Sequence, residues 1–392
     1  MATIAMLADG IVIQSIPVLY PFIRDDLGLT RAQVGLITSA IMGTSMITVV
    51  IGGWLSDTWG AKKILVIVML YIAIAVLTLS LINSFWTALL AGLLIGIGVG
   101  PFYPLTSKQI IDWLPQKTRA LGMSIKQTGP PVAGAIAAVT LPSIAIATNW
   151  RITTIIMSVV ILALTFVIFF CYKDKSQVTK RETKISLHSF LDIGKNRTLM
   201  ILTLWAFCMV GLQQTVVSYL ILYLVEDLEY STVMAGGYLS ICLMASVIGR
   251  IFWGGASDLL FRGSRKVTLA GIGLLGMIGL LALSFMEPTS SKILVILAVS
   301  IIGASAMSWP GIFTVYVAEI SGAERSGTAI GSTNAIVRIG IIIMPPLFGH
   351  LVDTTNSYYA GWLVTSLIAI VSTLIMLAWA KDPNQGDNLV SR

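Results

Sequence analysis

Gly53-Trp54-Leu55-Ser56-Asp57-Thr58-Trp59-Gly60-Ala61-Lys62-Lys63 is a short polar turn between two long apolar runs. A second stretch, Gly254-Gly255-Ala256-Ser257-Asp258, followed by Arg262, Arg265 and Lys266, repeats its beginning. Gly53 and Gly254 are 201 residues apart, as are Ser56-Asp57 and Ser257-Asp258. The same offset joins Asp26-Leu27 to Asp227-Leu228 and Gly35 to Gly236. An offset held constant from Asp26 to Asp57 is hard to obtain by chance and indicates two tandem copies.

Outward from this turn the chain is too apolar to be water-soluble. Of its 392 residues 56% are hydrophobic and 11% charged, against about 25% charged in a soluble domain. Runs near the ~20 residues needed to cross a bilayer fall at 4–23, 34–55, 64–82, 87–111, 120–146 and 152–172. After a polar stretch they resume at 199–225, 234–253, 267–286, 293–317, 327–351 and 363–380. Each must be a helix, because an open strand would leave backbone groups unpaired in lipid. The expected fold is therefore an all-α membrane protein of twelve spans in two six-helix bundles, 1–172 and 199–392, joined by a cytoplasmic linker, 173–198. The first run is expected to be retained as a span, since it has no basic leader and Asp9 interrupts it. Cys171, Cys208 and Cys242 lie in apolar runs without ligand spacing, so no disulfide framework and no metal site is expected.

The net charge of +7 invites a nucleic-acid reading, but the basic residues sit in short loops, where membrane orientation explains them. With the N-terminus inside, eighteen Lys and Arg fall on the cytoplasmic side and four (Arg24, Arg31, Arg151 and Lys292) on the other. That asymmetry places both termini in the cytoplasm.

The Gly53–Lys63 turn resembles the signature loop of the major facilitator superfamily: Gly, Asp four residues on, Gly three further, then basic residues. The second copy lacks the later Gly. The resemblance covers essentially the whole chain. It implies a secondary transporter with alternating access, in which this loop latches the cytoplasmic gate; Gly53, Asp57, Gly60, Lys62, Lys63, Arg250 and Asp258 are the gating candidates. Physically, the Gly lets helices approach and the Asp faces a helix N-terminus or a basic partner. Ser124-Ile125-Lys126-Gln127-Thr128-Gly129-Pro130-Pro131, with Trp113-Leu114-Pro115 and Asn149-Trp150-Arg151, resembles the cyanate-transporter-like and anion:cation-symporter branches. These imply an anionic substrate and a bacterial inner-membrane location.

Three charges stand well inside apolar runs, away from their ends. Lys126 lies about 10 Å into the fifth span at 1.5 Å per residue, where a lysine costs at least about 2.5 kcal/mol and is expected to face a cavity or a partner. Snorkelling to the interface is the bland alternative. Arg338 lies deeper, in the eleventh span, the repeat partner of the fifth. Aligning Leu121-Gly122 with Ile330-Gly331 puts Lys126 four residues past its Gly and Arg338 seven past its own, on the same helical face. Two such cations suit an anion, and the guanidinium can grip a carboxylate bidentately. Asn334, Gln127, Gln213, Gln214, Tyr103 and Trp309 are candidate further contacts; Gln14, Tyr20 and Tyr219 are ordinary polar positions that more often join helices. Asp9 is the one acid deep in a span, suited either to carry a coupling proton or to pair with a cation. Gly100-Pro101 with Tyr103-Pro104, and Trp309-Pro310-Gly311, are expected to break the fourth and tenth spans.

The leading expectation is a monomeric symporter moving a small organic or inorganic anion with protons, needing the lipid bilayer, no cofactor and no nucleic acid. The runner-up is a proton-coupled efflux antiporter for drugs or metabolites, suggested by Gly129-Pro130 and Ala133-Gly134. No phosphate-cradling loop points to ATP. An enzyme would need a nucleophile or metal cluster near the midplane, and none is evident.

Overall fold

The computed structural model describes residues 1–172, 196–322 and 326–381, without the side chains of 56, 57, 116, 117, 119–121, 124 and 326–328. Most of the expected linker, the side chain of Asp57, and Arg325 and Arg392 therefore lie outside the described residues. Within them the chain is helical, with no strand. The α-helices in order are α1 (Ala2–Ile13), α2 (Tyr20–Leu27), α3 (Arg31–Trp59), α4 (Ala61–Leu77), α5 (Phe85–Val99), α6 (Phe102–Trp113), α7 (Gln116–Gln127), α8 (Gly129–Ala147) and α9 (Trp150–Cys171). Then follow α10 (Arg197–Glu226), α11 (Thr232–Leu259), α12 (Arg265–Ser284), α13 (Lys292–Ala304), α14 (Pro310–Ser321), α15 (Ser326–Thr355) and α16 (Tyr358–Trp379).

Among the described residues, eleven helical stretches are long and apolar enough to cross a membrane. The tenth expected span is the exception, because it divides into α13 and α14 on either side of residues 305–309. The fold is that of twelve spans, several of them broken. Exposed rows such as Ile74, Trp86, Phe170 and Ile251 are what hydrocarbon would cover; in water they would aggregate.

The breaks have local causes. Pro130 and Pro131 lack the N–H groups that would bond the carbonyls of Lys126 and Gln127, so α7 ends at Gln127. Gly100-Pro101 separates α5 from α6, and Pro310 starts α14, as expected. The first span also breaks, which was not expected: a 3-10 turn, Ile16–Leu19, with Pro17 in it and Pro21 after it, separates α1 from α2. In lipid the freed carbonyls need new donors. Trp253 Nε1 donates to Ala304 O at 2.6 Å, and Ser308 Oγ to Gly303 O at 2.9 Å.

Two compact units emerge. One holds the described residues of Met1–Thr183 with Val217–Ser240, the other those of Lys184–Val216 with Ile241–Arg392. Each repeats one packing motif. In the first, Gly96 of α5 lies so close to the Ile41 carbonyl of α3 that a Cβ would overlap it; in the second, Gly303 of α13 meets the Cys242 carbonyl of α11 in the same way. Ile41 and Cys242 are again 201 positions apart, so the sequence repeat is also a packing repeat.

The Gly53–Lys63 turn is a one-residue joint between α3 and α4. Gly60 ends α3 and begins α4 at φ 90°, a conformation that disfavours any residue with a Cβ. Gly53 does not serve the close approach expected of it: its nearest neighbour is Pro104 Cβ at 3.9 Å from a built Cβ, and Gly254 has nothing within 4 Å. The tight contact is one residue earlier, where Gly52 packs on Pro101.

Candidate functional site

The first unit places Lys126 in the last turn of α7, where a cation faces the negative end of the helix. Its side chain is 0% exposed, so it does not snorkel. Nζ donates to Ser107 Oγ at 2.7 Å and stands 4.1 Å from the centroid of the Tyr103 ring. Ser107 and Tyr103 are one turn apart on α6. The Ser107 hydroxyl spends its proton on the Tyr103 carbonyl at 2.7 Å and so turns a lone pair to the ammonium. A buried lysine costs about 2.5–3.5 kcal/mol on insertion scales. A desolvated cation–π contact returns about 2 and a charged hydrogen bond about 1.5–3, so the site can hold the charge but leaves no large surplus.

Asp9 of α1 is 6% exposed and close enough for its charge to act on Lys126. What carries it there is the packing of α1 on the α7/α8 break. A Cβ on Gly10 would stand 2.5 Å from Pro130 Cα, and one on Gly129 would stand 2.8 Å from Met6 Cβ. The two roles foreseen for Asp9, proton carrier and partner of a cation, thus fall on one pair. Gln127 is half-buried beside Lys126. Gln14 is buried, and its Oε1 has no hydrogen-bond partner among the described residues.

The second unit holds the other candidates. Arg338 is half-buried on α15, and Asn334, one turn earlier, donates Nδ2 to its own helix at Ile330 O, 2.8 Å away. Gln213 Oε1 and Gln214 Nε2 on α10 are buried without hydrogen-bond partners among the described residues, as is Trp309 Nε1 at the α13/α14 break. Trp309 packs edge-on against Trp205 of α10, with centroids 5.8 Å apart. Orphaned buried polar atoms cost about 1–3 kcal/mol each, which marks the α10 face and this break as places suited to a polar ligand. Arg250, a gating candidate on α11, reaches Met307 O with Nη2 at 3.4 Å, beside the α13/α14 break.

Of the gating candidates, Asp258 is joined to Arg265 Nη1 at 2.5 Å; the same guanidinium reaches Ser257 Oγ at 2.7 Å and Glu319 Oε1 of α14 at 3.1 Å. The degenerate second copy therefore ties α11, α12 and α14 together. In the first copy Lys62 lies over Phe169 and Lys63 over Trp59, each 5.6 Å from the ring centroid.

Two groups escaped the sequence reading. Ser107 is one, for it shares no motif with Lys126. Glu226 is the other: its two oxygens are held by Arg24 Nη1 and Arg31 Nη2, each at 2.6 Å, all within the first unit. Burial raises the carboxyl pKa of its neighbour Asp227, and Arg31 works against that rise. Two of the four basic residues assigned to the far side thus share one acid. Two concavities of about 310 and 350 Å³ in the second unit are lined almost wholly by apolar groups, and no candidate residue lines either.

Comparison with known proteins agrees with this architecture. The model of the Major Facilitator Superfamily matches residues 2–342. The "Probable sulfoacetate transporter SauU" of Cupriavidus necator is 24% identical, over 93% of this chain and 88% of that protein. The "Hexuronate transporter" of Bacillus subtilis is 25% identical, over 92% and 89%. Among solved structures, a bacterial homolog of the human lysosomal transporter Spinster superposes with TM-score 0.81 at 16% identity, covering 96% of this chain and 95% of that one. The family match takes in well over half of the sequence, ten of its spans and part of the eleventh, and the chain, a multi-pass membrane transporter and not an enzyme, belongs to the Major Facilitator Superfamily.

Proposed function

We propose that the protein moves a small organic anion, a carboxylate or sulfonate, across the bacterial inner membrane as a proton-coupled symporter working by alternating access. The observation that carries this reading is Lys126, a wholly buried cation whose hydrogen-bond acceptor is a neutral hydroxyl and whose charge is felt by one acid, Asp9. The names of the relatives support it. Sulfoacetate carries a carboxylate and a sulfonate, and a hexuronate carries a carboxylate on a sugar body.

The coupling follows from charge balance. With Asp9 ionised, its carboxylate offsets the ammonium and competes with any incoming anion. A proton on Asp9 removes that competitor and leaves Lys126 to the substrate. Anion and proton therefore load together and leave together, and the buried site never holds a bare surplus charge. Arg338 of α15 is the anion-binding candidate of the second unit. Both termini lie in the cytoplasm in this reading, and the Asp258–Arg265–Glu319 cluster is part of the gate on that side.

The test is a thermal-shift screen of the purified protein against sulfoacetate, glucuronate, inorganic anions and organic cations at two pH values. A ligand at 100 times its Kd stabilises the state it binds by about 2.7 kcal/mol. Organic anions are expected to raise the midpoint, more so at the lower pH. Stabilisation by organic cations and by no anion would point to drug or metabolite export instead.

A further inference from the structure

The substrate-facing cation of the first unit is covered. Lys126 is 0% exposed while Tyr103, whose ring lies over it, is 42% exposed. Ser107 approaches from the α6 backbone and is held there by its bond to the Tyr103 carbonyl. The Tyr103 hydroxyl, by contrast, makes no hydrogen bond among the described residues, and its ring stands in the first turn of α6, just past the Gly100-Pro101 break. The ammonium is thus the polar group that holds the ring in place. An anion offers the ammonium a charge-assisted hydrogen bond, which is stronger than a contact with a π face.

We propose that Tyr103 is a swinging cover on Lys126: its ring stands in for the anion when the site is empty, and substrate enters by displacing it, so that Tyr103 sets which anions reach the cation. This rests on the anion-transport reading above and adds a selectivity device to it. A bare inorganic ion replaces the ring with one contact and leaves the phenol unsupported. An organic carboxylate or sulfonate replaces the ring at the ammonium and presents its own body to the displaced phenol. The cover therefore favours organic anions over inorganic ones of equal charge.

Two readouts separate the cover from the transport reading. The first is the rate at which trinitrobenzenesulfonate, an anionic amine reagent, modifies Lys126, followed by mass spectrometry of the peptide that contains it, with Lys126→Gln as the blank. Tyr103→Ala and Tyr103→Leu are expected to react at least ten-fold faster than wild type. Tyr103→Phe, which keeps the ring face, is expected to react at the wild-type rate. Thermal midpoints are recorded for each variant, and Tyr103→Leu, which keeps the bulk, stands in if the alanine variant does not fold. Equal rates in wild type, Tyr103→Leu and Tyr103→Ala would overturn the cover, whatever the substrate is. The second readout is competition by nitrate against bound radiolabelled sulfoacetate. The nitrate inhibition constant is expected to fall at least ten-fold in Tyr103→Leu and to stay unchanged in Tyr103→Phe. Equal inhibition in all variants would remove the selectivity role. If sulfoacetate and glucuronate fail to bind wild type while the modification rates behave as expected, the cover stands and the anion-transport reading fails.

Discussion

A lysine with no exposed surface must be explained by its neighbours, and Lys126 has three: a hydroxyl, an aromatic face and an acid at electrostatic range. The cost of a charge in an apolar run made a cavity or a partner the expectation, with snorkelling to the interface as the alternative. Its neighbours were not equally legible. Tyr103 was foreseen as a contact only through its place in the fourth span. Ser107 lies 19 positions before Lys126, and only tertiary packing brings them together. Lys126→Ala and Arg338→Ala are each expected to weaken anion binding by a few kcal/mol, since a charged hydrogen bond is lost and the ligand charge is left unpaired. Arg338→Lys is expected to fail as well, because a point charge does not reproduce the guanidinium fork. Calorimetry with an anion that stabilises the wild type checks all three, and unchanged affinities would exclude these residues from the site.

At the scale of helices, the breaks at Gly100-Pro101 and Trp309-Pro310-Gly311 were legible, because a glycine adjoins the proline. The break in the first span was not, because Pro17 and Pro21 stand apart inside an apolar run with no glycine beside them. Glycines were harder still. Sequence alone does not separate Gly52, packed on Pro101, from Gly53, where a built Cβ would stand 3.9 Å from Pro104 Cβ. The distinction has measurable consequences. Gly10 meets the Pro130 backbone, which cannot yield, so Gly10→Ala is expected to cost about 1–3 kcal/mol of overpacking. It should also lower uptake, because α1 positions Asp9. Gly254 has open space, and Gly254→Ala is expected to be neutral or to stabilise by up to about 1 kcal/mol through helix propensity and a stiffer unfolded chain. Thermal melts of the two variants in one detergent decide this; an equal loss in both would mean that the α1 contact is not tight.

For the molecule as a whole, the repeat at offset 201 carried the most information, because it divides the chain into two related halves and reappears as the matched contacts of Gly96 with Ile41 and Gly303 with Cys242. What the repeat does not encode is the asymmetry between its halves. Asp9 and Lys126 have no charged counterparts at the same offset, and Arg338 is displaced by three positions on its own helix. The proposed anion site rests on those departures. They are also where proton coupling is expected, and the most direct test is accumulation of radiolabelled sulfoacetate by proteoliposomes under an imposed inward proton gradient, with glucuronate as the second substrate. Wild type is expected to accumulate the anion above its external concentration and to lose the gain when the gradient is collapsed. Asp9→Asn is expected to exchange anion across the membrane without accumulating it, and Lys126→Gln to do neither. Accumulation by Asp9→Asn and Lys126→Gln at the wild-type level would contradict a proton-coupled anion site at this pair.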